Sequence, residues 1–182
     1  MAMQDNSRGY FQPQQAREVA EAFARHGVEY LFIGKSAAIL LGYPSSTQDV
    51  DIFAQKSTEN GNAIVAALKE LGFDLDETTV QEIIRGKDFN QLKNGPFDLD
   101  IIFAPDGIEN FDTAKARMIE LEGFPIANLI DIIASKKASG REKDKLDLPL
   151  LEDFRSVFEK RLVREPRSAI DVAFDKLDIS DK

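Results

Sequence analysis

YLFIGKSAAILLGYPSSTQDVDIF, residues 30–53, is the stretch on which the reading of this chain turns. An apolar run, Tyr30–Ile33, stops at Gly34 and gives way to a helix-compatible segment, Ser36–Leu41. A loop follows at Gly42-Tyr-Pro-Ser-Ser46, and the chain then re-enters an apolar run in which Asp49 and Asp51 are separated by one residue. Side chains alternate along a strand, so both carboxylates face one side while Val50 and Ile52 face the other. Two like charges on one face repel, and a cation held between them relieves the repulsion.

Composition bounds the rest. The 182 residues suit one domain, and 43% hydrophobic content with 13 Phe is enough for a core. No apolar run approaches the ~20 residues that cross a bilayer, and the N-terminal MAMQDNSRGYFQPQQ lacks the charged-then-apolar pattern of a signal peptide. A cytoplasmic protein without membrane contact is therefore expected. There is no cysteine, which removes disulfides and thiolate metal sites, and the one histidine, His26, suits a helix C-terminal dipole partner. A metal site here would be built from oxygen ligands, which favours Mg²⁺ or Mn²⁺. A net charge of −9 disfavours a general nucleic-acid coat protein, although a local basic patch can still hold phosphates.

Before the central stretch, residues 1–12 are polar with isolated aromatics and read as a loose arm. Pro13–His26 puts Ala16, Val19, Ala20 and Phe23 on one helical face, with Gly27 as the stop. After it, Ser57 or Thr58 caps a helix carrying Ile64, Val65, Leu68 and Leu71 that ends at Gly72. Between Phe73 and Asn94 the pattern is weaker: Val80, Ile83 and Ile84 suit a short helix, and Asp88–Leu92 a short strand. Phe97–Phe103 is a second acidic strand, with Asp98 and Asp100 on one face. Asn110–Ile119 reads as a helix and Gly123–Ala127 as an edge strand, because it contains Pro125. Leu129–Ser139 is helical up to Gly140. Arg141–Asp147 is a dense charged segment, and Leu150–Leu162 is the last helix, lined by Leu151, Phe154 and Phe158.

The strand ending in Gly34, the short helix after it, Thr47, the Asp49-Val-Asp51 pair and the acidic strand around Asp100 together resemble the nucleotidyltransferase superfamily, in its polymerase beta-like minimal branch. Asp131-Ile-Ile133, Lys136 and the run Gly140-Arg141-Glu-Lys143-Asp144 through Asp147 are similar to a lysine, arginine and aspartate pattern found downstream in that superfamily. The likeness spans roughly residues 15–155. It implies an α+β fold in which a small mixed β-sheet is flanked by α-helices, with a C-terminal helical segment. The domain would run over residues 13–165, between the arm of 1–12 and a tail of 166–182. The resemblance further implies a nucleoside triphosphate held at Gly34, Lys35 and Ser36, with Thr47, Lys136, Arg141, Lys143 and Asp144 also on the nucleotide. Asp49, Asp51 and Asp100 would be the catalytic carboxylates and would ligate two divalent ions. Two departures stand out: Lys35 occupies a place where the family usually carries Gly or Ser, and serines stand at Ser45 and Ser46 where an Arg is frequent.

The chemistry agrees with that donor set, because phosphoryl and nucleotidyl transfer are catalysed mostly by positioning and charge neutralisation. Three functions remain open. One is a metal-dependent transfer of a nucleoside monophosphate to a hydroxyl of a protein, RNA or small molecule. Another is a catalytically silent protein of the same fold that binds a partner, for example in a toxin–antitoxin pair. The third is a scaffold in which Asp49 and Asp51 are edge-strand charges that discourage aggregation. Gly34-Lys35-Ser36 also looks like the end of a P-loop, but Glu29 stands where that motif needs glycine. The apolar face of Leu151, Phe154 and Phe158 is a candidate to be shared between core and a homodimer or partner interface.

Overall fold

The computed structural model describes residues 9–164. Two short runs rich in β-branched and aromatic residues form the middle of its sheet: Tyr30–Ile33 (β1) and Val50–Ala54 (β2) pair antiparallel, with Ile33 opposite Asp51. β2 lies parallel to Leu99–Ile102 (β4), and β4 is antiparallel to Phe89–Leu92 (β3). On the other side β1 is parallel to Phe124–Ile126 (β6), which is antiparallel to Ile119–Leu121 (β5). The strand order is β3-β4-β2-β1-β6-β5. The helices are Pro13–Arg25 (α1), Gly34–Leu40 (α2), Thr58–Glu70 (α3), Glu77–Arg85 (α4), Phe111–Ala116 (α5), Leu129–Ser139 (α6) and Glu142–Arg164 (α7). α1 packs on α3 and α3 on α4, while α2 packs on α6 and α6 on α7. A small mixed sheet flanked by helices, as the resemblance implies, is what the chain forms. Among the described residues no helix is long and apolar enough to cross a membrane.

Local signals explain most of the boundaries. Ser57 caps α3 by accepting from the Asn60 amide, Asp76 caps α4 through Thr79, and Gly86 and Gly140 end α4 and α6 in the left-handed region. The core lies between sheet and helices. Phe32 is fully buried in β1, edge-on to Tyr30 and Phe124 at 5.3 and 5.6 Å between ring centroids.

The structure corrects several expectations. β6 is an interior strand, and the edge on that side is β5, which lies inside the expected 110–119 helix and the turn after it; α5 stops at Ala116. Pro125 is tolerated because β6 meets β1 only at Phe32↔Ile126, with the Ala127 amide donating to the Phe32 carbonyl at 2.8 Å, so a missing N–H at Pro125 breaks no bond there. The last helix, expected over Leu150–Leu162, takes in the charged segment as well: α7 starts at Glu142 and runs through Pro149. Glu142 and Asp144 in its first turn complement the helix dipole. Residues 9–12 are not a loose arm either, since Phe11 is buried and its amide donates to Thr47 at 2.7 Å. The rest of the expected arm and the tail of 166–182 lie outside the described residues. Leu151 and Phe158 are buried, and Phe154 makes tilted ring contacts with Tyr43 and Phe158, so this face contributes to the chain's own core.

Truncating Phe32 removes a ring from the centre of the sheet with little prospect of collapse around the void. Phe32→Ala is expected to cost about 3–5 kcal/mol in urea unfolding.

Candidate active site

The strand register builds the site. Ile33 faces Asp51 across β1 and β2, Asp51 faces Asp100 across β2 and β4, and Asp100 faces Gln91 across β4 and β3, so these side chains form one row on one face of the sheet. Asp49 lies just before β2, and Asp98 just before β4. Gly34 follows Ile33 with φ +71°, a backbone angle that L side chains rarely adopt. A Cβ there would sit 2.5 Å from Asp51 Oδ2, so only glycine leaves room for the carboxylate. Ser36, expected on the nucleotide, is instead fully buried beneath the turn. Its hydroxyl donates to the Ile33 carbonyl and accepts from the Asp51 amide at 3.2 Å, which fixes the first turn of α2 against β2.

A cleft of about 170 Å³ opens over this row. Gly34, Lys35, Thr47, Asp49, Asp51, Asp100, Lys136, Arg141, Lys143 and Asp144 all line it; of the residues expected on the nucleotide or the metal ions, Ser36 is the one left out. Asp98 does not line it, though its backbone carbonyl accepts from Val50 and its charge acts on Asp100. Asp131 is also elsewhere: it is buried in an ion pair with Arg117 and ties α6 to the end of α5.

Burial pushes the Asp51 carboxyl well above the usual carboxylate range; Asp100 and Asp49 add to this, and Lys136 and Lys143 oppose it. Burial, then Asp49, pushes Asp100 up to about 6, against a hydrogen bond from Gln91. The Oδ1 of Asp100 is buried and has no hydrogen-bond partner. Such a bare oxygen, beside carboxylates that are costly to ionise together, fits a hard divalent cation held by oxygen donors. Among the described residues no group of three or more His, Cys, Asp or Glu is already gathered as a metal cage, so Asp49, Asp51 and Asp100 share the cleft without closing around one point.

The opposite wall is basic and internally paired. Lys35 reaches Asp147 at 2.6 Å, Lys136 reaches Asp144 at 3.2 Å and Asp147 at 4.0 Å, and Arg141 reaches Asp144 at 2.7 Å. Burial works to raise the Asp144 carboxyl, but hydrogen bonds from Ser139, Arg141 and Lys136 win and hold it at about 2. Ser135, Ser139 and Phe89 also line the cleft and were not singled out from the sequence, and Asp147, named there as the end of the charged run but given no role, lines it too. Asp144 and Asp147 are three apart, which puts both on one helix face once α7 begins at Glu142.

Asp100 makes the stability of the metal-free protein pH-dependent. Its folded-state value lies above the unfolded one, so between about pH 4 and 6 the native state binds more protons, and its contribution to stability is lost as pH rises through that window. Asp100→Asn is expected to stabilise the metal-free protein by up to roughly 3 kcal/mol near pH 8 and to give no gain near pH 4, read from urea unfolding of variant and wild type side by side.

No family model matches the sequence, and no curated protein matches it. Among solved structures the chain is similar to TM1012 of Thermotoga maritima, provisionally described as a nucleotidyltransferase. The identity is 17% and the TM-score 0.42, with 84% of this chain and 93% of the other covered. It is also similar to JHP933 of Helicobacter pylori, at 15% identity and a TM-score of 0.43, covering 86% of this chain and 82% of the other. Both likenesses concern the fold alone.

Proposed function

We propose that this protein is a metal-dependent nucleotidyltransferase that moves a nucleoside monophosphate from a nucleoside triphosphate to a hydroxyl of a protein, RNA or small molecule. The observation that carries the reading is a single cleft in which Asp49, Asp51 and Asp100, the last with a bare Oδ1, face Lys35, Lys136, Arg141 and Lys143. Four cationic and five carboxylate side chains line that cleft, so a triphosphate needs further positive charge to enter it. Mg²⁺ or Mn²⁺, when bound, supplies that charge and polarises phosphate oxygens. Asp49, Asp51 and Asp100 are the residues that would hold it, and Lys35, Lys136, Arg141 and Lys143 would hold the phosphates.

In the transfer, the acceptor oxygen bonds to the α-phosphorus, the bond from that phosphorus to the β-phosphate oxygen breaks, and pyrophosphate leaves. The acceptor hydroxyl gives up its proton. Asp100 is our candidate to take it, since its Oδ1 is bare and it lines the cleft beside Asp49 and Asp51.

A second reading, a nucleotide-silent protein that binds a partner such as the other half of a toxin–antitoxin pair, draws support from the ion pairs: Asp147 and Asp144 already neutralise Lys35, Lys136 and Arg141. Two measurements separate the readings. A thermal-shift titration with the four nucleoside triphosphates, in Mg²⁺, Mn²⁺ or EDTA, should show metal-dependent stabilisation of roughly 2.7 kcal/mol at ~100 times the dissociation constant, lost in Asp49→Asn/Asp51→Asn. A shift that persists in that double variant refutes the assigned ligands, and no shift with any nucleotide supports the silent reading. Asp147→Asn should release Lys35 and tighten triphosphate binding several-fold in the same titration, whereas unchanged affinity would show that Lys35 does not serve the phosphates.

A further inference from the structure

Phe89 is the one aromatic side chain among the described residues lining the cleft, and it is 48% exposed. It opens β3, where Asn90 and Leu92 are buried while Phe89 and Gln91 are exposed. Gln91 lies opposite Asp100 and Phe89 opposite Ile102, so Phe89 is the diagonal neighbour of Asp100 across the β3–β4 ladder. Diagonal neighbours stand about 7–8 Å apart, and Asp51 is the next side chain in the row. A lone exposed Phe is ordinary on a protein surface. This one is an apolar ring on an edge strand, where charge is the usual protection, and it borders a cleft whose lining is mostly charged. The carboxylates and lysines have no use for a phenyl face, and the partly buried Ile102 extends it as an apolar shelf.

We propose that Phe89, backed by Ile102, is the platform on which the base of the bound nucleotide stacks. The inference rests on the nucleotidyltransferase reading and names the part of the substrate that reading leaves unassigned. A nucleotide has the matching layout: an anionic phosphate to lie along the carboxylates and their cation, a ribose to bridge the gap, and a flat base at the far end. Stacking tolerates every base because each has a π-face, and it favours the larger purines over pyrimidines.

The test compares ATP with inorganic tripolyphosphate, which carries the charge without a base, by calorimetry in Mg²⁺. In Phe89→Ala, ATP should bind roughly ten- to a hundredfold more weakly while tripolyphosphate binds as to wild type. The chain contains no tryptophan, so Phe89→Trp introduces a single reporter at the shelf. ATP should quench its fluorescence and tripolyphosphate should not. Equal ATP affinity in Phe89→Ala and wild type, or equal response of the tryptophan to both ligands, overturns the stacking role and leaves the nucleotidyltransferase reading standing. Failure of wild type to bind either ligand overturns that reading and the stacking with it.

Discussion

Two adjacent carboxylates on neighbouring parallel strands are the constraint to which the rest of the site answers. Asp51 and Asp100 are in register across β2 and β4, Asp100 buried and Asp51 partly so, with Asp49 beside them. Burying one charge is costly, and burying two of the same sign is more so, because each raises the free energy of ionising the other. The surrounding residues limit that cost. Gly34 gives Asp51 space, Ser36 holds the Asp51 amide, Gln91 donates to Asp100, and Lys136 and Lys143 bring opposite charge from the far wall. What remains uncompensated is Asp100 Oδ1. A fold that keeps such a cluster must recover the lost stability elsewhere, and the fully buried opposite face of the same strands, with Phe32, Val50, Ile52, Leu99 and Ile101, is where it does so.

The parts of this arrangement that depend on local pattern were legible in the sequence. Tyr30–Ile33 is a strand with the bounds its apolar run gives it, Ser57 is the cap of α3, and the short helix and short strand within Phe73–Asn94 both exist. The Asp49-Val-Asp51 spacing and the acidic strand at Asp100 marked residues that share the cleft. What could not be read depends on partners distant in the chain. Pro125 suggested an edge, but β5 pairs on the outer side of its strand, and the proline is tolerated there because the contact with β1 is confined to one residue pair. Asp98 and Asp100 have the same spacing as Asp49 and Asp51, yet Asp49 lines the cleft and Asp98 does not, although each stands just before its strand. Phe89 carries no sequence signal as a site residue, because its position follows from the β3–β4 register rather than from its neighbours.

The two cleft-lining aspartates of α7 are not equivalent, and the difference says how the cleft can receive a ligand. Asp144 is nearly fully buried and accepts from Ser139, Lys136 and Arg141, a set of donors that holds it ionised down to about pH 2. Breaking that set would strand a buried charge, so Lys136 and Arg141 are anchored where they are. Asp147 is partly exposed, has Lys35 as its close partner, and has Lys136 only at 4.0 Å. A pair that keeps some contact with water exchanges partners at less cost than the buried set around Asp144. Lys35 is therefore the cation of the cleft best able to leave its carboxylate for an incoming anion, while Asp147 turns to water. Under the proposed function, the lysine that departs from the superfamily pattern and the aspartate that holds it would act as one device: an internal counterion that a more highly charged ligand displaces.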